Sequence, residues 1–240
     1  MGNLPDIILP LGVESKRENL ELKLALRSLE KNCSGTYGQI YVATERLPEW
    51  LVGVTHVPAT DDLPHNKDGN IITKIVKTLE AHPQIDRFIF LSDDQAVVRP
   101  CDLSGLRPIY NCRGKRAFLG GNRWQKRVLR TFEFLEARGV VLAHNYESHT
   151  PQLHDRGILK ALEGVDYREG NGYVINTLFY GLRGVTGGVL QDEVKVTCEK
   201  ASDAGRPLDR TFVGYNDEGF LNGLSQRLLA MFPMPSRYER

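Results

Sequence analysis

Nowhere in this 240-residue chain do about 18 consecutive apolar residues occur, the length that a membrane-crossing helix needs. A membrane span is therefore not expected. Met1 to Ile8 also lacks the basic stretch and long apolar run of a secretory leader, so the chain reads as soluble and cytoplasmic. Net charge is almost absent: 31 Lys and Arg stand against 30 Asp and Glu. That balance excludes the strong overall field of a general nucleic-acid or membrane binder, so any such partner must be recognised locally. Cysteine is scarce and scattered. Cys33, Cys101, Cys112 and Cys198 form no CxxC pair and no tight grouping with histidine, so neither a zinc centre nor a disulfide framework is expected and all four read as reduced thiols. Internal repeats, low-complexity tracts and linker-like segments are missing too, which leaves one domain over 1–240.

What is present is an alternation of strand-like and helix-like segments. Asp6 to Gly12 is a short apolar run closed by glycine, as expected of a buried strand that delivers the chain to a surface loop. Leu22, Ala25, Leu26 and Leu29 recur at helical spacing within Glu18 to Asn32, and Ser34-Gly35 follows as a stop signal. Gln39 to Thr44 and Val54 to Pro58 read as strands. A second helix is signalled by Ile71, Ile72, Ile75, Val76 and Leu79, with Asp68 or Asn70 as its cap and Pro83 beyond it. Arg87 to Leu91 is the most strand-like segment of all. The expected class is α/β: a mostly parallel, Rossmann-like sheet flanked by helices, binding ligand at the carboxyl ends of its strands.

Beyond Pro100 the pattern is less regular. A strand is expected at Arg116 to Leu119, then a Gly120-Gly121 break and a helix with Trp124, Val128, Phe132 and Leu135 on one face. Further helices are expected at Asp155 to Leu162 and Glu218 to Met231, and Glu199 to Arg210 reads as an exposed loop. This half, from residue 101 on, is expected to shape an acceptor pocket, and 1–100 to bind the donor.

The feature that carries chemistry is Asp93-Asp94, directly after Phe88-Ile-Phe-Leu-Ser92. A buried pair of like charges raises its own electrostatic energy unless a cation neutralises it. Hard oxygen ligands suit Mg²⁺ or Mn²⁺, which keep positions open for phosphates, so the pair is expected to hold a nucleotide diphosphate by way of the metal. The plain alternative is a turn in which Asp93 caps and Asp94 is solvated.

Leu24-Ala-Leu-Arg-Ser-Leu-Glu-Lys31, Gln39 to Thr44, Leu47-Pro-Glu-Trp-Leu51 and Arg87 to Asp94 together resemble the first half of GT-A glycosyltransferases. They are similar in particular to the Stealth family of sugar-phosphate transferases and to glycosyltransferase-like proteins of bacteriophages. The likeness covers residues 6 to 100, with weaker echoes at His149-Thr-Pro151 and in the last helix. It implies a GT-A-like fold, a nucleotide-sugar donor that is UDP-linked, and a DxD-like role for Ser92, Asp93 and Asp94. Stealth proteins follow strand one with Trp-Val-Asp where this chain has Pro10-Leu-Gly-Val13. That departure favours simple glycosyl transfer over transfer of a sugar phosphate.

Around this centre, His149 is a third ligand candidate, since imidazole accepts Mn²⁺; the alternative is a loop histidine bonded to backbone. Gly12, at the end of strand one, and Asn66, Lys67, Asn70 and Lys74, at the start of the second helix, are donor-binding candidates, because a helix N-terminus and ammonium groups suit a diphosphate. Asp217, within Asn216-Asp-Glu-Gly219, either caps the last helix or takes the acceptor's proton, and Asp192 is a second candidate base. Phe232 to Glu239 reads either as an echo of the phage-encoded proteins or as a strap packed on the core.

Arg113, Lys115, Arg116, Arg123, Lys126, Arg127 and Arg130 form a basic run without an intervening acid. Arg123, Lys126, Arg127 and Arg130 are therefore acceptor-binding candidates, either as a surface that follows a phosphate backbone or as a solvated helix face. With the phage resemblance this permits glucosylation of a hydroxymethylated base in double-stranded DNA, flipped from the duplex. A saccharide or lipopolysaccharide acceptor, a Stealth-like transferase and a non-catalytic DNA- or glycan-binding module are the competing expectations.

Overall fold

The computed structural model describes residues 3–12, 17–196 and 208–240. A five-stranded sheet forms the centre, from β1 (Asp6–Pro10), β2 (Ile40–Thr44), β3 (Thr55–Pro58), β4 (Arg87–Phe90) and β7 (Gln152–Asp155) in the spatial order β3-β2-β1-β4-β7. The first four strands run parallel, and β7 joins β4 antiparallel with Phe88 opposite His154. Because strand residues alternate between faces, Ile7, Leu9, Val42 and Ile89 bury on one side against Leu22, Leu26 and Leu29 of helix α1 (Leu20–Cys33). Ile8, Tyr41, Phe88 and Phe90 bury on the other against Ile72, Ile75 and Leu79 of α2 (Lys67–Ala81). The sheet is thus doubly wound, and the chain turns in opposite directions at the ends of the neighbouring strands β1 and β4. That divergence opens the crevice where ligands bind in this architecture.

A buried ammonium holds the crevice floor. Lys74, 2% exposed, donates to the Leu11 carbonyl at 2.8 Å and pairs with Asp61 at 2.6 Å. It ties the exit of β1 to the segment before α2. Asn66 is the cap of α2, accepting from the Gly69 N–H at 2.8 Å, in place of the expected Asp68 or Asn70. Asp68 is drawn off by Arg127, and the Asn70 amide spans the backbone of Leu63.

The second half departs most from expectation. None of the described strands after β4 is anticipated by the sequence, among them β5 (Gln95–Val97), β7, β9 (Glu193–Val196) and β10 (Phe212–Tyr215). β10 lies between β5 and β9, antiparallel to the first and parallel to the second. Ala96, Val213 and Tyr215 pack with Leu24 of α1 and with Phe220 and Leu228 near the C-terminus. A further short pair, β6 (Ile109–Tyr110) and β8 (Val189–Leu190), lies apart.

The expected strand at Arg116 to Leu119 is instead a 3₁₀ turn over Lys115–Phe118. Phe118 is its one buried residue, so nothing alternates. Helix α3 (Arg123–Glu136) forms as expected, with Asn122 and Gln125 in a capping box. The expected helix from Asp155 shrinks to α4 (Ile158–Ala161), since β7 takes Asp155, whose carboxylate caps the Gly157 N–H at 2.7 Å. Helix α5 (Ile175–Leu182) was not anticipated. The helix expected over Glu218 to Met231 is broken at Asn222 and Gly223, where φ of 115° at Gly223 forces a wide turn before the C-terminal helix Ser225–Met231. Of the loop expected over Glu199 to Arg210, residues 199–207 lie outside the described residues.

The last residues strap the sheet's far side. Arg27 grips Glu239 with two hydrogen bonds of 2.8 and 2.7 Å, and Val52 N–H donates to Tyr238 O at 2.9 Å.

Breaking the floor should be costly, because removing the buried ammonium leaves the Leu11 carbonyl without its donor and opens a gap beside it, while Asp61 stays in reach of solvent. Lys74→Ala is expected to lose about 2 kcal/mol in urea unfolding; a loss within error of zero would show that the ammonium does not anchor β1.

Candidate functional site

β4 ends at Phe90, and Ser92-Asp93-Asp94-Gln95 then turns the chain into β5. The Ser92 N–H meets the Gln95 side chain at 3.4 Å across that turn. β10 fixes the carboxylate-bearing residues from the side: Tyr215 donates its N–H to Asp94 O and its phenol to Asp93 O, both at 3.2 Å. Two backbone carbonyls held by one residue leave both side chains free to face the crevice.

These carboxylates stand in company. Burial first, and then Asp94, raise the Asp93 carboxyl to about 6. Asp94 is also raised, chiefly by burial, while Lys67 and Lys195 pull the other way. Glu21, in the first turn of α1, reaches about 7, through burial and then through the charges of Asp93, Asp217 and Asp94. Both aspartates are half-buried, packed round by protein yet still reached by solvent. Glu21 carries no sequence signal, because a carboxylate on the polar side of an amphipathic helix looks like any solvated charge.

β9 supplies the opposing wall. Glu193 and Lys195 alternate with valines, which places both on one side of the strand. Glu193 Oε2 accepts from the His149 N–H at 3.2 Å, and both residues press on Gly214, where an added Cβ would meet His149 Cβ at 2.1 Å and Glu193 Oε1 at 2.5 Å. Burial, then Lys195 and Lys67, lower the His149 imidazole to about 3, so it is neutral. His149 Nδ1 and Glu193 Oε1 are shielded from water and have no hydrogen-bond partner. Neither Lys67 nor Lys195 is ion-paired among the described residues, and both are exposed. Lys195 is a second cation of the site that sequence reading missed.

Other expected residues turn out to be engaged inside the protein. Asn66 is buried, and besides capping α2 its amide donates to Tyr167 O at 2.9 Å. Asn70 and Lys74 are bound to Leu63, Leu11 and Asp61 as described. Gly12 is exposed at the mouth, next to Asp61. Asp192 leaves the set of bases: its carboxylate accepts from the Thr211 N–H and hydroxyl, which lowers its pKa and spends its lone pairs on a turn. Asn216, not Asp217, caps the following turn, accepting from the Gly219 N–H at 2.9 Å. Asp217 is exposed and free of that duty.

The basic run on α3 is largely spoken for. Arg127 pairs with Asp68 at 2.5 Å, Arg123 donates to His65 O, Arg130 lies 4.9 Å over the Tyr173 ring, and Lys115 pairs with Glu136 at 2.5 Å. Among the described residues, Lys126 alone of the four α3 candidates is an exposed cation without such a partner.

Among the described residues no group of three or more His, Cys, Asp or Glu side chains closes round a metal position. A hard divalent cation needs no such closed set, since Mg²⁺ and Mn²⁺ are held by one or two carboxylates and complete their shell with phosphates and water, and the surplus of negative charge at Glu21, Asp93, Asp94 and Asp217 favours one.

No protein-family pattern matches the sequence, and no curated protein does. Among solved structures the chain is similar to a glycosyltransferase involved in the glycosylation of the major capsid of PBCV-1, with 14% identity and a TM-score of 0.48 over 93% of this chain and 100% of that one.

The charge crowding has a sign that can be measured. A carboxyl raised in the folded state binds more protons than it does unfolded, so its contribution falls as pH climbs through the folded value. His149 and His154, both lowered, act in the opposite sense below about pH 6.5, so a difference between two proteins isolates the carboxylate. Without added metal, Glu21→Gln is expected to match the wild type near pH 4 and to be more stable by about 2 kcal/mol at pH 8, by urea unfolding. A gain independent of pH would contradict the crowding.

Proposed function

We propose that this chain is a metal-dependent glycosyltransferase that moves a sugar, first of all a hexose carried on UDP, from a nucleotide-sugar to a hydroxyl acceptor. The observation that carries this is the convergence of Asp93, Asp94, Glu21 and Asp217 with two unpaired lysines at the switch point of a doubly wound sheet. Asp93 and Asp94 would hold the cation, Mn²⁺ or Mg²⁺, whose charge offsets that of a departing diphosphate. Lys67 and Lys195 approach the pair from α2 and β9 and stabilise the same developing charge. As the acceptor oxygen bonds to the anomeric carbon and the carbon–phosphate oxygen bond breaks, a carboxylate takes the acceptor's proton. Asp217 at the mouth and Glu21 beside the pair are the groups placed for it. His149, neutral and without a side-chain partner, remains a ligand for the cation or for the sugar.

For the acceptor we favour a saccharide or another uncharged hydroxyl compound. A duplex would have to be gripped through its phosphates, and three of the four α3 cations named for that task are engaged within the protein. DNA with hydroxymethylated bases is the second reading, carried by Lys126 and the remaining positive surface.

Calorimetry with Mn²⁺ against UDP-, GDP- and CMP-sugars is expected to show one binder, with Asp93→Ala and Lys195→Ala each weakening it at least tenfold; silence across the panel overturns the proposal. Mass spectrometry after incubation with glycans and with hydroxymethylated DNA should find the added hexose on glycan. A hexose on the modified nucleoside would reverse the choice of acceptor, and release of nucleoside monophosphate in place of diphosphate would make the enzyme a sugar-phosphate transferase.

A further inference from the structure

Far from the carboxylates, the tail of α1 meets the segment that follows β5. Cys33 is the last residue of α1 and is 1% exposed, and Cys101 is half-buried four residues beyond Val97. The Cys101 N–H donates to Asn32 O at 2.9 Å. In a trans peptide that oxygen lies beside the next Cα, so the bond holds the Cα atoms of Cys33 and Cys101 within roughly 7 Å, inside the range a disulfide spans. Their side chains share one apolar cluster with Leu29 and Leu103, and each thiol perturbs the other, Cys33 being pushed up and Cys101 down. In sequence the cysteines stood 68 positions apart and looked unrelated.

We propose that Cys33 and Cys101 form a dithiol site that reacts with small disulfides, of which oxidised glutathione is the type, and closes an internal disulfide. Cys101 is the more accessible of the two, and the neighbouring Cys33 lowers its thiol, so it attacks first. Its thiolate bonds to one sulfur of the reagent, the reagent's S–S bond breaks, and one glutathione thiolate leaves. The Cys33 sulfur then gives up its proton and attacks the Cys101 sulfur of the mixed disulfide, expelling the second glutathione. The protein has lost two electrons and two protons and gained one S–S bond; two reduced glutathione molecules carry the electrons and protons.

The bridge would lie on a seam that matters to the crevice. The Asn32 side chain donates to Val97 O at 2.7 Å, and the Val97 N–H donates to the Ser28 hydroxyl at 3.0 Å. β5 begins directly after Asp94, and α1 carries Glu21 at its other end. A bond between Cys33 and Cys101 therefore fastens the two elements that bring the carboxylates together.

The test incubates the native full chain with oxidised glutathione and follows it by intact and peptide mass spectrometry without reductant. The expected product is lighter by two hydrogens, links the Cys33 and Cys101 peptides, reverts with dithiothreitol, and melts roughly 5 °C higher than the reduced form. Cys101→Ser, altered at the less buried member, should give neither the mass loss nor the shift. A lasting glutathione adduct on Cys101, a link from either residue to Cys112 or Cys198, no reaction in the folded chain when the urea-unfolded chain reacts, or the same mass loss in Cys101→Ser each overturns the site.

Discussion

Mutual repulsion among carboxylates is the constraint on which the arrangement of this molecule turns. Glu21, the adjacent Asp93 and Asp94, and Asp217 come from three separate stretches of chain; burial and the charges of Asp93, Asp217 and Asp94 push Glu21 to about 7, and burial and Asp94 push Asp93 to about 6. No isolated fold gains from such a cluster, because each member would be better solvated apart. The surrounding structure therefore has to over-determine their positions, and it does so through backbone bonds that leave the side chains unspent. Tyr215 is the clearest instance, holding the carbonyls of both aspartates with its own N–H and hydroxyl.

The scaffold that bears this strain is shared between two sheets. α1 presents Leu22, Leu26 and Leu29 to the central sheet and Leu24 to the β5-β10-β9 sheet, so a single helix sets their relative placement. Lys74 closes the other side by tying the end of β1 to Asp61. The consequence is a crevice whose floor is rigid, from strand ends and a buried ammonium, and whose opposing wall is a short sheet with one charged side. Gly214 belongs to the same logic, since its missing side chain makes the room that His149 and Glu193 occupy.

How much of this the sequence revealed follows from the kind of burial each element has. β1, β2 and β4 are covered on both faces, so they appear as continuous apolar runs, and the helices between them carry clear periodicity. β7 and β9 read QLHD and EVKV: four residues each, three polar in the first and two in the second, too short for alternation to separate a strand from a loop. The run at Arg116 to Leu119 misled in the other direction, because one buried phenylalanine amid basic residues resembles a strand while having no strand to pair with. The Asp93-Asp94 pair was legible because it follows the most hydrophobic strand. Glu21 and Lys195 were not, since their importance lies in what faces them across the crevice, and linear order holds no trace of that.

The basic residues of α3 show the same principle from the opposite side. Counted along the chain they form an unbroken positive run, yet charge counted is not charge available. Arg127 is matched by Asp68, a carboxylate 59 positions earlier, and Lys115 by Glu136, 21 positions later; Arg123 and Arg130 are held by a carbonyl and an aromatic ring. What solvent meets on that face is weaker than the formula suggests, while in the crevice four carboxylates face, among the described residues, the two exposed lysines Lys67 and Lys195. For the proposed reaction, an anionic donor would meet these carboxylates, and a cation carried in with its phosphates would relieve them and admit the ligand together. The acceptor faces the opposite requirement. With a diphosphate and its cation on the charged floor, the acceptor of the proposed reaction would need to bring only a hydroxyl, and an uncharged one would meet the least resistance.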